Sequence, residues 1–151
     1  MVVEQEKKEF LFSDIKKGMR LPTVTYTITS EILERYLEGV DDLNPLYLDE
    51  EFAKTTPYRG RIVPPMAVAL CTTISNFIKP LNWRIPAGLI QASQKFEFSG
   101  VIRPDEQLRL ETIVEDKFEK KEKKFAVFKT EIFNEKGDKV VTSWLTPIWP
   151  R

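Results

Sequence analysis

Between Asp42 and Asp49 the chain reads DLNPLYLD, setting two carboxylates, a carboxamide and a phenol around one proline. A carboxylate is a general base for water chemistry. A phenol donates a hydrogen bond and titrates near 10, too high for a base at neutral pH. Each polar residue here also has a plain structural use. Asp42 and Asn44 suit a turn whose side chains bond the local backbone, and Pro45 keeps Asn44 out of helical geometry. Tyr47 suits a half-buried aromatic with a satisfied hydroxyl, and Asp49 a helix cap.

The chain contains no histidine and a single cysteine, Cys71. An imidazole base, a serine–histidine or cysteine–histidine nucleophile and a histidine-built metal centre are all excluded for this chain acting alone. No metal site is expected. Cys71 lies in an apolar run and reads as a small core residue. One cysteine allows no internal disulfide, which fits a reducing cytoplasm.

A second stretch of interest follows at Arg59, Gly60, Arg61, Ile62, Val63, Pro64, Pro65 and Met66. Arginine suits phosphate, and solvated loop charge is the ordinary alternative. Two consecutive prolines bring no backbone N–H, but proline is well placed at the first position of a helix.

The elements that position these residues follow from periodicity. Thr23–Thr29 alternates Val24, Tyr26 and Ile28 with threonines, the pattern of a strand. Ser30 stands as a helix N-cap, with Ile32, Leu33, Tyr36, Leu37 and Val40 behind it at helical spacing. A short helix is expected from Asp49 to Lys54. From Pro65 to Ile78 the residues are small or apolar on nearly every side, which predicts one long buried helix. The second half reads as four strands in a meander: AGLIQASQKFEFSG, EQLRLETIVED, KFAVFKTEIF and VVTSWLTPIW. The charged stretch KFEKKEKK marks a hairpin end, and Pro147 predicts that the last strand lies at an edge or ends irregularly. Such a buried helix must be wrapped, and a curved antiparallel sheet of about five strands would do it.

The 151 residues suit one domain, residues 1–151, in the α+β class. Lysine plus arginine equals aspartate plus glutamate at 23 each, so no broad basic field points to nucleic acid or an anionic membrane. No apolar run reaches the roughly 20 residues of a membrane span, and the N-terminus lacks a signal-peptide core, so a soluble, cytoplasmic protein is expected.

These stretches together resemble the MaoC-like dehydratase family of hot-dog proteins, which includes the (R)-specific enoyl-CoA hydratases. The resemblance runs through FSDIKKGM, DLNPLYLDEEFA, GRIVPPM, LIQASQKFEF and VIRPDEQL. It implies a hot-dog fold, in which the helix Pro65–Ile78 is enclosed by the sheet. It also implies side-by-side dimers that bind acyl thioesters of CoA or an acyl carrier protein, with no other cofactor. In catalytic members an aspartate and a histidine hold the water, and a backbone N–H at the start of the long helix polarises the thioester carbonyl.

Carried over residue by residue, the resemblance places Asp42 at the catalytic aspartate, Asn44 at the bracing asparagine and Tyr47 at the histidine. Pro65 takes the place of the N–H-donating glycine and Pro64 that of the histidine before it. Loss of an oxyanion donor costs about a hundred- to a thousandfold in rate, and loss of the base about a hundred- to ten-thousandfold. NPLY with PP resembles the N-terminal MaoC-like dehydratase type, whose chains pair with a catalytic hot-dog partner. The expectation is an acyl-CoA- or acyl-ACP-binding, non-catalytic or weakly catalytic subunit of an enoyl-CoA hydratase or 3-hydroxyacyl dehydratase, as a homodimer or heterodimer. Arg59, Gly60, Ile62, Val63, Pro64, Pro65 and Met66 would form its thioester site, supported by Asn44, Pro45 and Asp49. The alternatives are an active hydratase using Asp42 and Tyr47, and a hot-dog thioesterase, against which the Asn-Pro-Leu motif argues.

Overall fold

The alternation that marks the strands decides the sheet. In the computed structural model, which describes residues 6–150, Leu108, Leu110, Thr112 and Val114 all turn inward, as do Ala126, Phe128, Thr130 and Ile132. The elements follow in order: β1 (Val24–Thr27), α1 (Ser30–Val40), α2 (Pro45–Leu48), α3 (Glu50–Lys54), a 3-10 segment Pro65–Leu70, α4 (Ile74–Ile78), then β2 (Ile90–Phe98), β3 (Gln107–Lys120), β4 (Lys123–Phe133) and β5 (Lys139–Trp149). The five strands form one antiparallel sheet in the order β1-β3-β4-β5-β2. The expected five-stranded sheet over a central helical segment is therefore present. The cap of α1 is Thr29 rather than Ser30: the Thr29 hydroxyl accepts from the Ile32 N–H at 3.2 Å.

The meander is only partly realised. β3, β4 and β5 follow it, but β2 crosses to the far edge and pairs with β5. Its exit shows why. The N–H groups of Ser99 and Gly100 both donate to the Val140 carbonyl, at 2.9 and 3.1 Å. Gly100 lies so close to Val140 that a Cβ there would come within 2.9 Å of its side chain. Pro147 is likewise not at an edge, because β5 lies between β4 and β2. The missing N–H is tolerated because the β2–β5 register already shifts between Gln91 and Ser93, and irregular ladders are where proline fits.

The segment expected as one continuous helix, Pro65–Ile78, is broken. A 3-10 stretch covers Pro65–Leu70, and α4 restarts at Ile74 with extended Thr73 as its cap. The Thr73 hydroxyl accepts from Asn76 N–H at 3.3 Å, and the Asn76 carboxamide donates to the carbonyls of Leu70 and Cys71 at 3.2 and 3.0 Å. The break thus carries its own replacement bonds. Ala67, Val68, Cys71, Ile74, Phe77 and Ile78 still pack into the one core with Leu108, Leu110, Phe128 and Leu145. The two ends of the described chain meet: the Trp149 indole donates to the Phe10 carbonyl at 2.9 Å, and the two rings meet edge to face. No helix among the described residues is long and apolar enough to cross a membrane.

Candidate functional site

α1 ends where Asp41 adopts left-handed geometry (φ 53°), and the Asp42 N–H returns to the Leu37 carbonyl at 3.0 Å. The motif then unfolds as successive caps. Asp42 Oδ1 accepts from Asn44 N–H at 3.1 Å, and Asn44 Oδ1 accepts from Leu46 N–H at 3.0 Å. Pro45 opens α2, and Asp49 Oδ1 accepts from Phe52 N–H at 3.0 Å to open α3. Asn44, Pro45 and Asp49 are therefore accounted for by turn and cap chemistry.

Tyr47 is half-buried and packs against the core. Burial first, then the charge of Asp42 and the neighbouring phenols of Tyr58 and Tyr36, push its hydroxyl above the usual tyrosine value. At neutral pH it is a neutral phenol, able to donate a hydrogen bond and unable to act as a base. The fold does bring Tyr47 within electrostatic range of Asp42 and, separately, of Tyr58 in the next loop.

That loop turns at Arg59 (φ 55°) and Gly60 (φ 156°). The Arg103 guanidinium donates to the carbonyls of Tyr58, Gly60 and Arg61, and Val63 N–H bonds the Ile102 carbonyl at 2.8 Å. A Cβ at Gly60 would meet Arg103 at 3.3 Å, so the close approach calls for glycine. The two stitched segments enclose a mostly apolar pocket of about 230 Å³. Ile62, Val63, Pro64 and Pro65 line it together with Tyr58, Phe98, Val101, Ile102 and Val141.

The remaining predicted residues lie elsewhere. Met66 falls outside the lining, with its side chain 58% exposed. Arg59 and Gly60 border a polar recess of about 410 Å³ on the other side of the same loop, with Glu50, Arg61, Arg103 and Asp105. Asp42 and Tyr47 do not line the apolar pocket. The wall residues missed in the sequence, Phe98 and Val141, belong to paired strands remote in the chain.

Cys71 is fully buried, donates to the Val68 carbonyl, and its thiol is pushed up to about 12 by burial. It is inert as a nucleophile. No group of three or more Cys, Asp or Glu that could hold a metal ion occurs among the described residues.

A curved five-stranded sheet, a central helical segment and an apolar pocket at that segment's start define a hot-dog protein. Residues 16–143 match the family model described as FAS1-like, dehydratase domain region, and the chain belongs to that MaoC-like dehydratase family. A UPF0336 protein of Streptomyces coelicolor is 26% identical over 126 residues, covering 82% of this chain and 84% of the relative. Among solved structures, the (R)-hydratase of A. caviae involved in PHA biosynthesis superposes with a TM-score of 0.73 at 23% identity, over 90% of this chain and 98% of that one. The HadBC 3R-hydroxyacyl-ACP dehydratase complex of Mycobacterium tuberculosis gives a TM-score of 0.76 at 17% identity, over 87% and 96%. These structural likenesses establish a shared fold.

Proposed function

We propose that this chain binds acyl thioesters, of CoA or of a carrier protein, as a non-catalytic or weakly catalytic hydratase/dehydratase subunit. The observation that carries the reading is the chemistry of Tyr47. It stands where the family pattern has histidine, and burial and Asp42 raise its pKa further above neutrality. Pro64 and Pro65 support the same reading, because they line the pocket where an N–H would otherwise polarise the carbonyl, and proline has none. What remains is an apolar pocket that can exclude water from an acyl group without activating it.

β2 supports the expectation of a two-subunit assembly. It is an edge strand with Ile90 and Phe98 exposed. An unpaired edge with an exposed apolar residue at each end invites a second strand, from another copy of this chain or from a histidine-bearing hot-dog chain.

The test is to offer crotonyl-CoA to the purified protein, following enoyl absorbance for turnover and heat for binding. Binding without loss of absorbance is expected. Brisk hydration abolished by Asp42→Asn would establish instead the active hydratase reading, which the proximity of Asp42 to Tyr47 favours.

A further inference from the structure

The lining of the Pro64–Pro65 pocket contains one side-chain hydrogen-bond donor, the phenol of Tyr58. The backbone around it offers little in its place. Pro64 and Pro65 have no N–H. The Val63 N–H is spent on the Ile102 carbonyl at 2.8 Å, and the Gly100 N–H on the Val140 carbonyl at 3.1 Å. A ligand carbonyl carried from water into this lining gives up its bonds to solvent, and burial makes that loss steep unless a donor replaces them.

Local bonds hold Tyr58 at the pocket. Its N–H donates to the Thr56 hydroxyl oxygen at 3.3 Å, and that hydroxyl donates to the Ala53 carbonyl of α3 at 2.6 Å. Its carbonyl accepts from the Arg103 guanidinium, which also donates to the carbonyls of Gly60 and Arg61. The backbone is thus fixed on both sides of the residue. The phenol itself is left over: it has no hydrogen-bond partner among the described residues, and the residue is 41% exposed. Water can serve it while the pocket is empty, so a free donor here carries no penalty. Tyr58 also lies within electrostatic range of Tyr47.

We propose that the Tyr58 hydroxyl donates a hydrogen bond to the thioester carbonyl of the bound acyl group, in place of the N–H that Pro65 lacks. The proposal rests on the acyl-thioester reading and deepens it: the protein grips the carbonyl of its ligand as well as the hydrocarbon. The apolar lining takes up the chain, and the phenol answers the one polar atom that the chain brings with it.

Calorimetric titration of the full chain with octanoyl-CoA and with S-octyl-CoA, the thioether that has CH2 in place of the carbonyl, tests this. Tyr58→Phe keeps the ring and removes an oxygen that bonds nothing within the described chain, so it should fold and melt as the wild type does. It should bind octanoyl-CoA about tenfold more weakly than the wild type, the scale of one lost hydrogen bond, and S-octyl-CoA equally well. Infrared spectra of octanoyl-CoA labelled with 13C at the carbonyl give a second readout. The carbonyl stretch should lie lower in the wild-type complex than in the Tyr58→Phe complex. An equal loss for both ligands makes Tyr58 a packing residue and overturns the proposal. So does no loss for either, or a carbonyl stretch that is the same in both complexes. Failure of the wild type to bind octanoyl-CoA removes the acyl-thioester reading and the proposal with it, whereas binding that is indifferent to Tyr58→Phe removes only the proposal.

Discussion

The turn at Asp41–Asp49 and the pocket wall at Pro64–Pro65 divide the labour unevenly. The turn holds the residues whose types promise chemistry, yet Asp42, Asn44 and Asp49 each accept a local backbone N–H. The wall holds residues with no chemistry of their own, yet it encloses the space a ligand could enter. The polar residues of a motif can thus be spent on shaping its own turn, while the nearest enclosed space is walled mostly by apolar residues.

The largest expected effect would merge the two regions again. Tyr47→His alone should leave crotonyl-CoA hydration near background, since Pro65 still lacks an N–H. Tyr47→His combined with Pro65→Gly should exceed either single variant by about a hundredfold or more, measured as initial loss of enoyl absorbance. Equal rates in single and double variants would break the assignment of Pro65.

Next in size is a change to the wall. Phe98 is 45% exposed, so Phe98→Ala should cost little stability while weakening octanoyl-CoA binding by about tenfold, the scale of one partly buried aromatic. The turn should respond in the opposite sense. Asn44→Ala removes the α2 cap and should lower unfolding free energy by about 1 kcal/mol in urea titrations, with acyl-CoA affinity unchanged. A loss of affinity without loss of stability would move Asn44 from support into the binding site.

The last effect is one of pH. Burial pushes the folded Cys71 thiol up to about 12, from an ordinary 9.0. Its folded pKa exceeds the unfolded one, so the associated stability is intact below about pH 9 and is lost as pH rises towards 12. Tyr47, also raised, acts in the same direction above its ordinary value of 10.0. Melting temperature should therefore fall steadily across this alkaline window. Cys71→Ala should flatten that decline, whatever its cost in packing at neutral pH.

The strands were legible because half-buried sheets alternate, and Leu108 to Val114 and Ala126 to Ile132 do so cleanly. The break at Cys71–Thr73 was not. A segment apolar on all sides carries no phase, so nothing in its pattern tells a continuous helix from two pieces. The place of β2 was hidden for a different reason: it depends on the contact of Gly100 with Val140, forty residues apart. Pro147 left two readings open, because an edge and an irregular ladder both excuse a missing N–H; the partner strand decides for the irregular one. Of the site, the polar turn could be read directly. The wall could not, since Phe98, Ile102 and Val141 become neighbours of Pro64 only when Val63 bonds Ile102.

The bond from the Trp149 indole to the Phe10 carbonyl holds the beginning and end of the fold side by side. A short peptide joining Trp149 to Phe10 should therefore span little distance. The chain could then be reopened between Lys120 and Lys123, in the charged turn joining β3 to β4, giving a circular permutant that keeps every strand beside its present neighbours.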